Sequence, residues 1–404
     1  MRTISAPHAA FPVAVAAALL LGTRSAAQCQ YSVVQWSPWV CDWDGNRIYT
    51  GTGLNDLGAW CGYRSACFPE ESQVLTWLPV YCPPGGIPQV LPMPPNAVEN
   101  GAQAVGVTAA GDVVGFSYQG TSGSVLRGCV WWHDGSFTEI EPAPGGTNSR
   151  PWAVNASGLV VGGSAGDPYR WLNGVMETMN PAPFTNGTAY GVSSSGVVVG
   201  SAGNPNVNAR AFRWYGDSID WLEPVPGYPI SVARGANSSG HVVGYSKIDS
   251  PLVQWPTLWT ASEPIALPMP AGYTTGAAGG INDAGVIFGS ASGPGVPSAQ
   301  LIWLDGEVYK LSDLLAPGSA TLGNVVDINA SGQLLSGGGP KLGTPIGSSI
   351  ADLTGDCSVD GDDLGVLLAS WGSPDFDPRS DLNGDGVVDG FDLGTLLGEW
   401  TMTK

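Results

Sequence analysis

One pattern returns seven times along this chain and restricts its fold more than any other feature. It reads GLNDLGAWCGYR (53–64), GVTAAGDVVGFS (106–117), AVNASGLVVGGS (153–164) and GVSSSGVVVGSA (191–202), then GANSSGHVVGYS (235–246), GINDAGVIFGSA (280–291) and DINASGQLLSGG (327–338). Its turn glycines, Gly58, Gly111, Gly158, Gly196, Gly240, Gly285 and Gly332, are 53, 47, 38, 44, 45 and 47 residues apart. A small-polar-small-Gly tetrapeptide makes a tight turn in which glycine takes the positive φ. The β-branched pairs that follow, such as Val113-Val114 and Val242-Val243, are bounded by glycine and predict a buried strand. Further on comes a Trp landmark: CVWW (129–132), YRW (169–171), FRW (212–214), TLW (257–259) and LIW (301–303). A second turn follows it, HDG (133–135), LNG (172–174) or LDG (304–306), and then another strand. Asp-Gly or Asn-Gly between two apolar runs is a strong hairpin signal.

Two hairpins per period supply four short strands, and four-stranded repeats of roughly 40–50 residues are the blades of β-propellers. The expected fold is therefore mainly β, a seven-bladed propeller. Six or eight blades are the alternative counts; a linear β solenoid or two packed sandwiches are the alternative architectures. The seventh copy lacks its Trp and its Asp-Gly hairpin, while a spare one, Trp43-Asp44-Gly45-Asn46-Arg47-Ile48-Tyr49, precedes the first. Those strands are expected to complete the last blade and shut the ring. Composition agrees: 59 Gly and 33 Pro disfavour long helices, and 16 Trp supply buried area that a disordered chain lacks.

With its turns of the GINDAG type, VVG strands and F-R-W landmarks, the stretch from about residue 50 to 340 resembles the HAF-type extracellular repeat of secreted bacterial proteins. The resemblance implies a propeller-like β domain outside the cytoplasm. It implies no particular chemistry, because fold does not fix function.

The N-terminus points to the same compartment. Arg2 precedes an apolar run over 11–22, and Ser25-Ala26-Ala27 places small residues before Gln28. This predicts a signal peptide over 1–27, cleaved after Ala27, with no membrane span left in the mature chain. Seven cysteines suit an oxidising compartment. Cys61–Cys67 would close a short loop and Cys41–Cys82 a longer one, with Cys29, Cys129 and Cys357 left over; spacing alone leaves the pairing open. No C-x-x-C occurs, so zinc and redox motifs find little support. The formal charge of −19 offers phosphates no basic surface, which argues against nucleic-acid binding.

The propeller-like repeats are read as 28–340, followed by a Gly/Ser/Pro-rich linker, 341–350, and a distinct C-terminal region, 351–404. That region holds two acidic loops, each followed by a leucine stripe. In the second loop Asp381, Asn383, Asp385 and Asp389 place oxygens at positions 1, 3, 5 and 9; Val387 offers its carbonyl at 7 and Asp392 closes at 12. Gly386 makes the sharp turn at 6. A hard cation such as calcium takes six to eight oxygens, and this alternation points every second residue inward. The first loop carries Asp352, Thr354, Asp356, Ser358 (carbonyl), Asp360 and Asp363, with Cys357 in place of the turn glycine, and is the weaker site. The stripes are Leu364, Leu367, Leu368 and Trp371, then Leu393, Leu396, Leu397 and Trp400, both at i, i+3, i+4, i+7. Two EF-hand-like loop–helix units 29 residues apart, without entering helices, resemble a type I dockerin module. The resemblance implies calcium-dependent docking onto a cohesin-like partner in an extracellular polysaccharide-degrading system. The loop positions that help dockerins choose their cohesin are here Gly361-Asp362 and Gly390-Phe391 rather than hydroxyl residues.

Catalytic patterns are thin. His133 and His241 fall in turns, and Gly162-Gly163-Ser164-Ala165-Gly166 matches G-x-S-x-G without the helix a nucleophile elbow requires. Glu139 with Glu141, and Asp217 with Asp220, form no evident acid/base pair. The expected function is thus a secreted, non-catalytic binding or scaffold protein, with a polysaccharide or cell-surface partner. The alternatives are an extracellular carbohydrate-active hydrolase or lyase, and a structural cell-surface component.

Overall fold

A computed structural model describes residues 30–35, 48–65, 77–98, 101–120, 123–180, 182–204, 207–249, 252–316, 318–346, 351–353, 359–373, 376, 378–383 and 385–400. Seven antiparallel four-stranded sheets follow one another along the chain, one per repeat: a seven-bladed β-propeller. The innermost strands of blades 1–7 are Ile48–Leu54, Ala102–Val107, Ser149–Val154, Gly187–Val192, Ile230–Ala236, Thr275–Ile281 and Val325–Ile328, and all seven line one central cavity. Each repeat turn joins the first strand of a blade to the second. All seven turn glycines take positive φ, from +73° at Gly332 to +88° at Gly111, a region closed to most side chains. The LNG and LDG turns join third strands to fourth, with Asn173-Gly174 and Asp305-Gly306 both at positive φ, as two-residue hairpins require.

The landmark tryptophans Trp131, Trp171, Trp214, Trp259 and Trp303 lie on third strands and are almost fully buried, opposite the first valine or isoleucine of the VVG pattern. The indole N–H groups of four of them find acceptors, Trp214 within its own hairpin at the Gly216 carbonyl. Trp131, Trp259 and Trp303 donate to carbonyls of Pro92, Glu223 and Pro268, each at the end of the preceding blade, so one ring serves both core and seam. Blade 1 exchanges the sizes: Trp60 takes the valine position and Cys82 the tryptophan position.

Closure follows a different route from the one expected. The last blade comprises Val325–Ile328, Leu334–Ser336, Lys341–Ile346 and, outermost, the N-terminal strand Gln30–Gln35, paired from Gln30↔Ile346 to Gln35↔Lys341. The spare Ile48-Tyr49 instead begins the innermost strand of blade 1, and 36–47, including Trp43–Arg47, lies outside the described residues. The supposed linker is corrected too: 341–346 is the third strand of blade 7, because a strand paired on both sides needs no strong hydrophobic pattern of its own. Residues 347–350 are outside the described set, as are 1–29 with the expected signal peptide and Cys29.

A belt of amides fastens neighbouring blades. In Asn55, Asn155, Asn237, Asn282 and Asn329, the first residue of the repeat turn, Oδ1 accepts a backbone N–H of its own turn. Nδ2 crosses the seam to the carbonyl of the equivalent residue in the next blade: Thr108, Ser193, Asn282, Asn329 and, closing the circle, Asn55. Thr108 and Ser193 occupy the position in blades 2 and 4 and make no such crossing. Each asparagine answers buried donors and acceptors in two blades at once, which explains why the turn repeats so closely.

Beyond the propeller, helices α1 (Gly361–Ser370) and α2 (Gly390–Gly398) follow the two acidic loops. Each opens on a capping box, Asp360 with Asp363 and Asp389 with Asp392. Their core joins Leu367 and Leu396 to Leu353, Val359, Leu382 and Val388, with Leu364, Leu393 and Trp400 packed against it. The stripes are therefore only partly inward: Leu368 (52%), Trp371 (43%) and Leu397 (52%) are exposed. Two helices of nine and ten residues packing on each other cover a narrow seam, and the i+4 positions fall on its flank.

Cys61, Cys82 and Cys129 are buried free thiols, and burial pushes the first two up to about 12 and about 11. Cys41, Cys67 and Cys357 lie outside the described residues, and with them the expected partners of Cys82 and Cys61. No helix among the described residues is long and apolar enough to cross a membrane.

Candidate functional site

The channel is shaped by a device absent from ordinary strands. Every innermost strand breaks register once, always three residues before the belt position: at Thr52, Val105, Trp152, Tyr190, Arg234, Gly279 and Val326. A β-bulge re-aims its extra residue, and all seven line the central cavity of about 360 Å³. The bulge also accounts for the glycine of the VVG pattern. A Cβ at Gly115, Gly162, Gly200 or Gly244 would run into the carbonyl oxygen of Gln103, Arg150, Thr188 or Val232 on the bulged strand.

The seven bulged residues are not equivalent. Three consecutive blades present Trp152, Tyr190 and Arg234; the other four present Thr52, Val105, Gly279 and Val326. On the large side the side chains form one connected crescent. Arg150 lies over the rings of Trp152 (4.1 Å) and Phe116 (5.1 Å). Trp152 meets Tyr190 edge to face at 5.5 Å, and Arg234 lies over Tyr190 (4.8 Å) and Tyr245 (5.6 Å). Trp152 also borders a second cavity of about 460 Å³ between blades 3 and 4, onto which Arg150 faces.

Acidic groups gather towards the turn side. Asp56 and Asp283 follow belt asparagines and are held by Ala330 N and by Ser238 N with Ser194 Oγ. Asp327 is half-buried between bulge and belt, where its oxygens accept N–H bonds from Leu54 of blade 1 and from Ile328. Desolvation is the main cause that raises its pKa to about 7, against the lowering effect of those two bonds.

The catalytic patterns read from sequence do not converge. Ser164 is buried, accepts from Ala143 N and donates to Asn148 O, which makes it a seam latch. Glu139 accepts from Gln119, Glu141 pairs with Arg127, and Asp220 with Arg213; Asp217 stays in the Tyr215–Ser218 turn. His241 sits in its belt turn as expected. His133 is less solitary than a solvated turn residue: Nδ1 lies 2.7 Å from Asp112 Oδ1, and that carboxylate raises the imidazole pKa.

In the second acidic loop all six expected residues are described. Asp381 accepts from Asp385 N and Gly386 N, Asn383 from Asp385 N, Asp385 from Val387 N, and Asp389 from Phe391 N. Asp392, fully buried, accepts from Leu382, Asn383 and Asp389 N. Gly386 has φ +88°. Of the first loop Asp352, Asp360 and Asp363 are described; Thr354, Asp356 and Ser358 are not. Among the described residues no three Asp, Glu, His or Cys side chains are gathered as a ready metal cage. The loop carboxylates are turned onto their own backbone instead, in an all-oxygen donor set that suits a hard cation.

The channel crescent was not among the residues singled out by sequence. Its signal lay in the VVG glycine, which implies a bulge on the partner strand, and in the variable residue three before each turn.

No protein-family model and no curated protein matches the chain. Solved structures similar to it include a virginiamycin B lyase from Staphylococcus aureus (11% identity, TM-score 0.47, 78% of this chain and 98% of that one). Another is the β-propeller domain of the trilobed protease from Pyrococcus furiosus (11% identity, TM-score 0.46, 71% and 88%). With TM-scores below 0.5, these likenesses carry no argument about the chemistry of this chain.

Proposed function

We propose that this is an exported binding protein whose propeller holds a small polar ligand in the central channel and whose C-terminal region docks it, with calcium, to a cohesin-like or cell-surface partner. The observation that carries the reading is the asymmetric bulge ring, three large binding-type side chains facing four small ones across the channel. Binding sites are concave, with a few convergent polar groups. A signal peptide over 1–27 and the HAF-type resemblance support export.

For the tail, a dockerin-like reading draws on two loop–helix units with matching capping boxes, and on Leu368, Trp371, Leu397 and Phe391 left exposed around the helices. Calcium would be held by Asp381, Asn383, Asp385, the Val387 carbonyl, Asp389 and Asp392, and in the weaker loop by Asp352, Thr354, Asp356, the Ser358 carbonyl, Asp360 and Asp363. The ion would free these oxygens from backbone N–H groups and tighten each loop against its helix. Calcium titration of the full chain, followed by far-UV circular dichroism and calorimetry, tests this. Saturable binding, lost in the Asp381→Ala/Asp392→Ala variant, is expected; an unchanged calorimetric trace sinks the calcium reading. A calcium-dependent pull-down on immobilised cohesin tests the partner.

A second reading, an extracellular hydrolase or lyase, is favoured by one observation: Asp327, a channel-lining carboxyl with a pKa of about 7, is poised as a proton donor near neutral pH. Turnover of a polysaccharide panel that disappears in Asp327→Asn would establish it over the binding reading.

A further inference from the structure

We propose that the crescent receives an acidic, uronate-type oligosaccharide, with one carboxylate held by the guanidinium of Arg234 in the central channel and another by that of Arg150 in the adjoining cavity. The inference rests on the reading of the channel as a ligand cup and names the chemistry of the ligand.

Four of the other five described blade arginines are answered. Arg127 pairs with Glu141, Arg170 with Glu177, Arg210 with Glu223 and Arg213 with Asp220. Arg150 and Arg234 have no carboxylate partner among the described residues, in a chain where 34 acidic residues face 15 basic ones. Arg64 also lacks one, but lines neither cavity. What Arg150 and Arg234 have instead is aromatic support, each guanidinium contacting two rings. Stacked this way, a guanidinium keeps its orientation; Arg234 gives one N–H to Tyr245 Oη (3.4 Å), and the remaining N–H groups suit a planar acceptor. Arg150 Nε is buried without a hydrogen-bond partner, a donor whose desolvation nothing in the protein offsets. Burial accordingly lowers its pKa. A carboxylate supplies the missing acceptor and charge together.

The remaining walls describe the rest of the ligand. Opposite the crescent the bulge ring is small, and Gly106, Gly279 and Gly280 bring backbone to the channel wall. Such walls match hydroxyl groups and offer no broad apolar face. The two cavities bordered by Trp152, about 360 and 460 Å³, fall within the roughly 300–1,000 Å³ of small-ligand sites and are too narrow for a folded protein. Asp56 and Asp283 towards the turn side repel an anion, so the carboxylates are oriented to the arginine side.

The test uses the full chain, trigalacturonate and its fully methyl-esterified form, with tryptophan fluorescence read against the Trp152→Phe variant and affinity taken by calorimetry. The acid is expected to bind at least tenfold tighter than the ester and to weaken with added salt. Arg234→Gln and Arg150→Gln should each lose about tenfold or more, while Arg127→Gln, on the blade surface, should not change affinity. Equal binding of acid and ester, or unaltered binding in both arginine variants, overturns the carboxylate inference and leaves the ligand cup standing. If neither form binds, the inference is overturned; if, in addition, a panel of neutral oligosaccharides leaves the Trp152-dependent signal unmoved, the cup reading falls with it.

Discussion

Two positions three residues apart in every blade have opposite characters. The belt position is Asn in five blades and a small hydroxyl residue, Thr108 or Ser193, in the other two; its side chains join blades. The bulge position carries Thr, Val, Trp, Tyr, Arg, Gly and Val in turn and repeats no seam bond, Thr52 alone donating across to the Ala104 carbonyl. Repetition in this chain marks what seven seams require, and departure from repetition marks the wall that differs from its neighbours. A repeat protein of this kind advertises its scaffold in sequence, while the residues that fail to repeat set the character of its channel wall.

The largest effect expected belongs to Asp327, which lies between the two positions and ties the last blade to Leu54 of the first. Its folded pKa of about 7 stands above the model-compound 3.8, so the folded state holds the proton more tightly. The stability this confers is complete below about pH 4 and is lost as pH rises through about 7, a total on the order of 4 kcal/mol. Denaturant titrations from pH 4 to 8 should show this decline in the wild type and not in Asp327→Asn; parallel curves for the two would refute it.

Next comes the belt. Asn329→Ala leaves the Gln333 N–H without its acceptor in a buried seam and strips the Asn55 carbonyl of its cross-seam donor, with only Gly58 N–H remaining, and should cost about 2 kcal/mol in urea denaturation. Installing the absent amide is the converse: Thr108→Asn should gain about 1 kcal/mol, less whatever the lost Thr108–Asp112 contact contributes. The smallest effect marks the bulge ring. Trp152→Ala and Arg234→Gln should each shift stability by about 1 kcal/mol or less, because these side chains are half-buried or exposed. A bulge variant costing as much as Asn329→Ala would erase the distinction between the two positions.

Much of the scaffold was legible because its signals are local. Positive φ at Gly158 or Gly285 and the Asn-Gly hairpin at 173–174 follow from turn chemistry alone, and burial of Trp259 or Trp303 from size and periodicity. What escaped depends on partners distant in sequence. Gln30–Gln35 and Lys341–Ile346 are strands only because each pairs with the other, and neither alternates clearly enough to stand out. The tail stripes misled in part, since Leu368 and Leu397 satisfy a helical pattern that their short helices do not bury. The crescent was hidden for a different reason: Trp152, Tyr190 and Arg234 share a structural position but no chemistry, so no search for a recurring motif collects them.

The pairing of Gln30–Gln35 with Lys341–Ile346 has a consequence in time. The outermost strand of the last blade is the first part of the propeller to leave the ribosome, and its partner strand is the last. Until some three hundred further residues exist, that leading strand carries an unsatisfied edge, and the ring cannot lock from either side. Closure of the circle therefore waits until the last blade has been made and its third strand meets Gln30–Gln35, and contacts of this sequence separation form slowly.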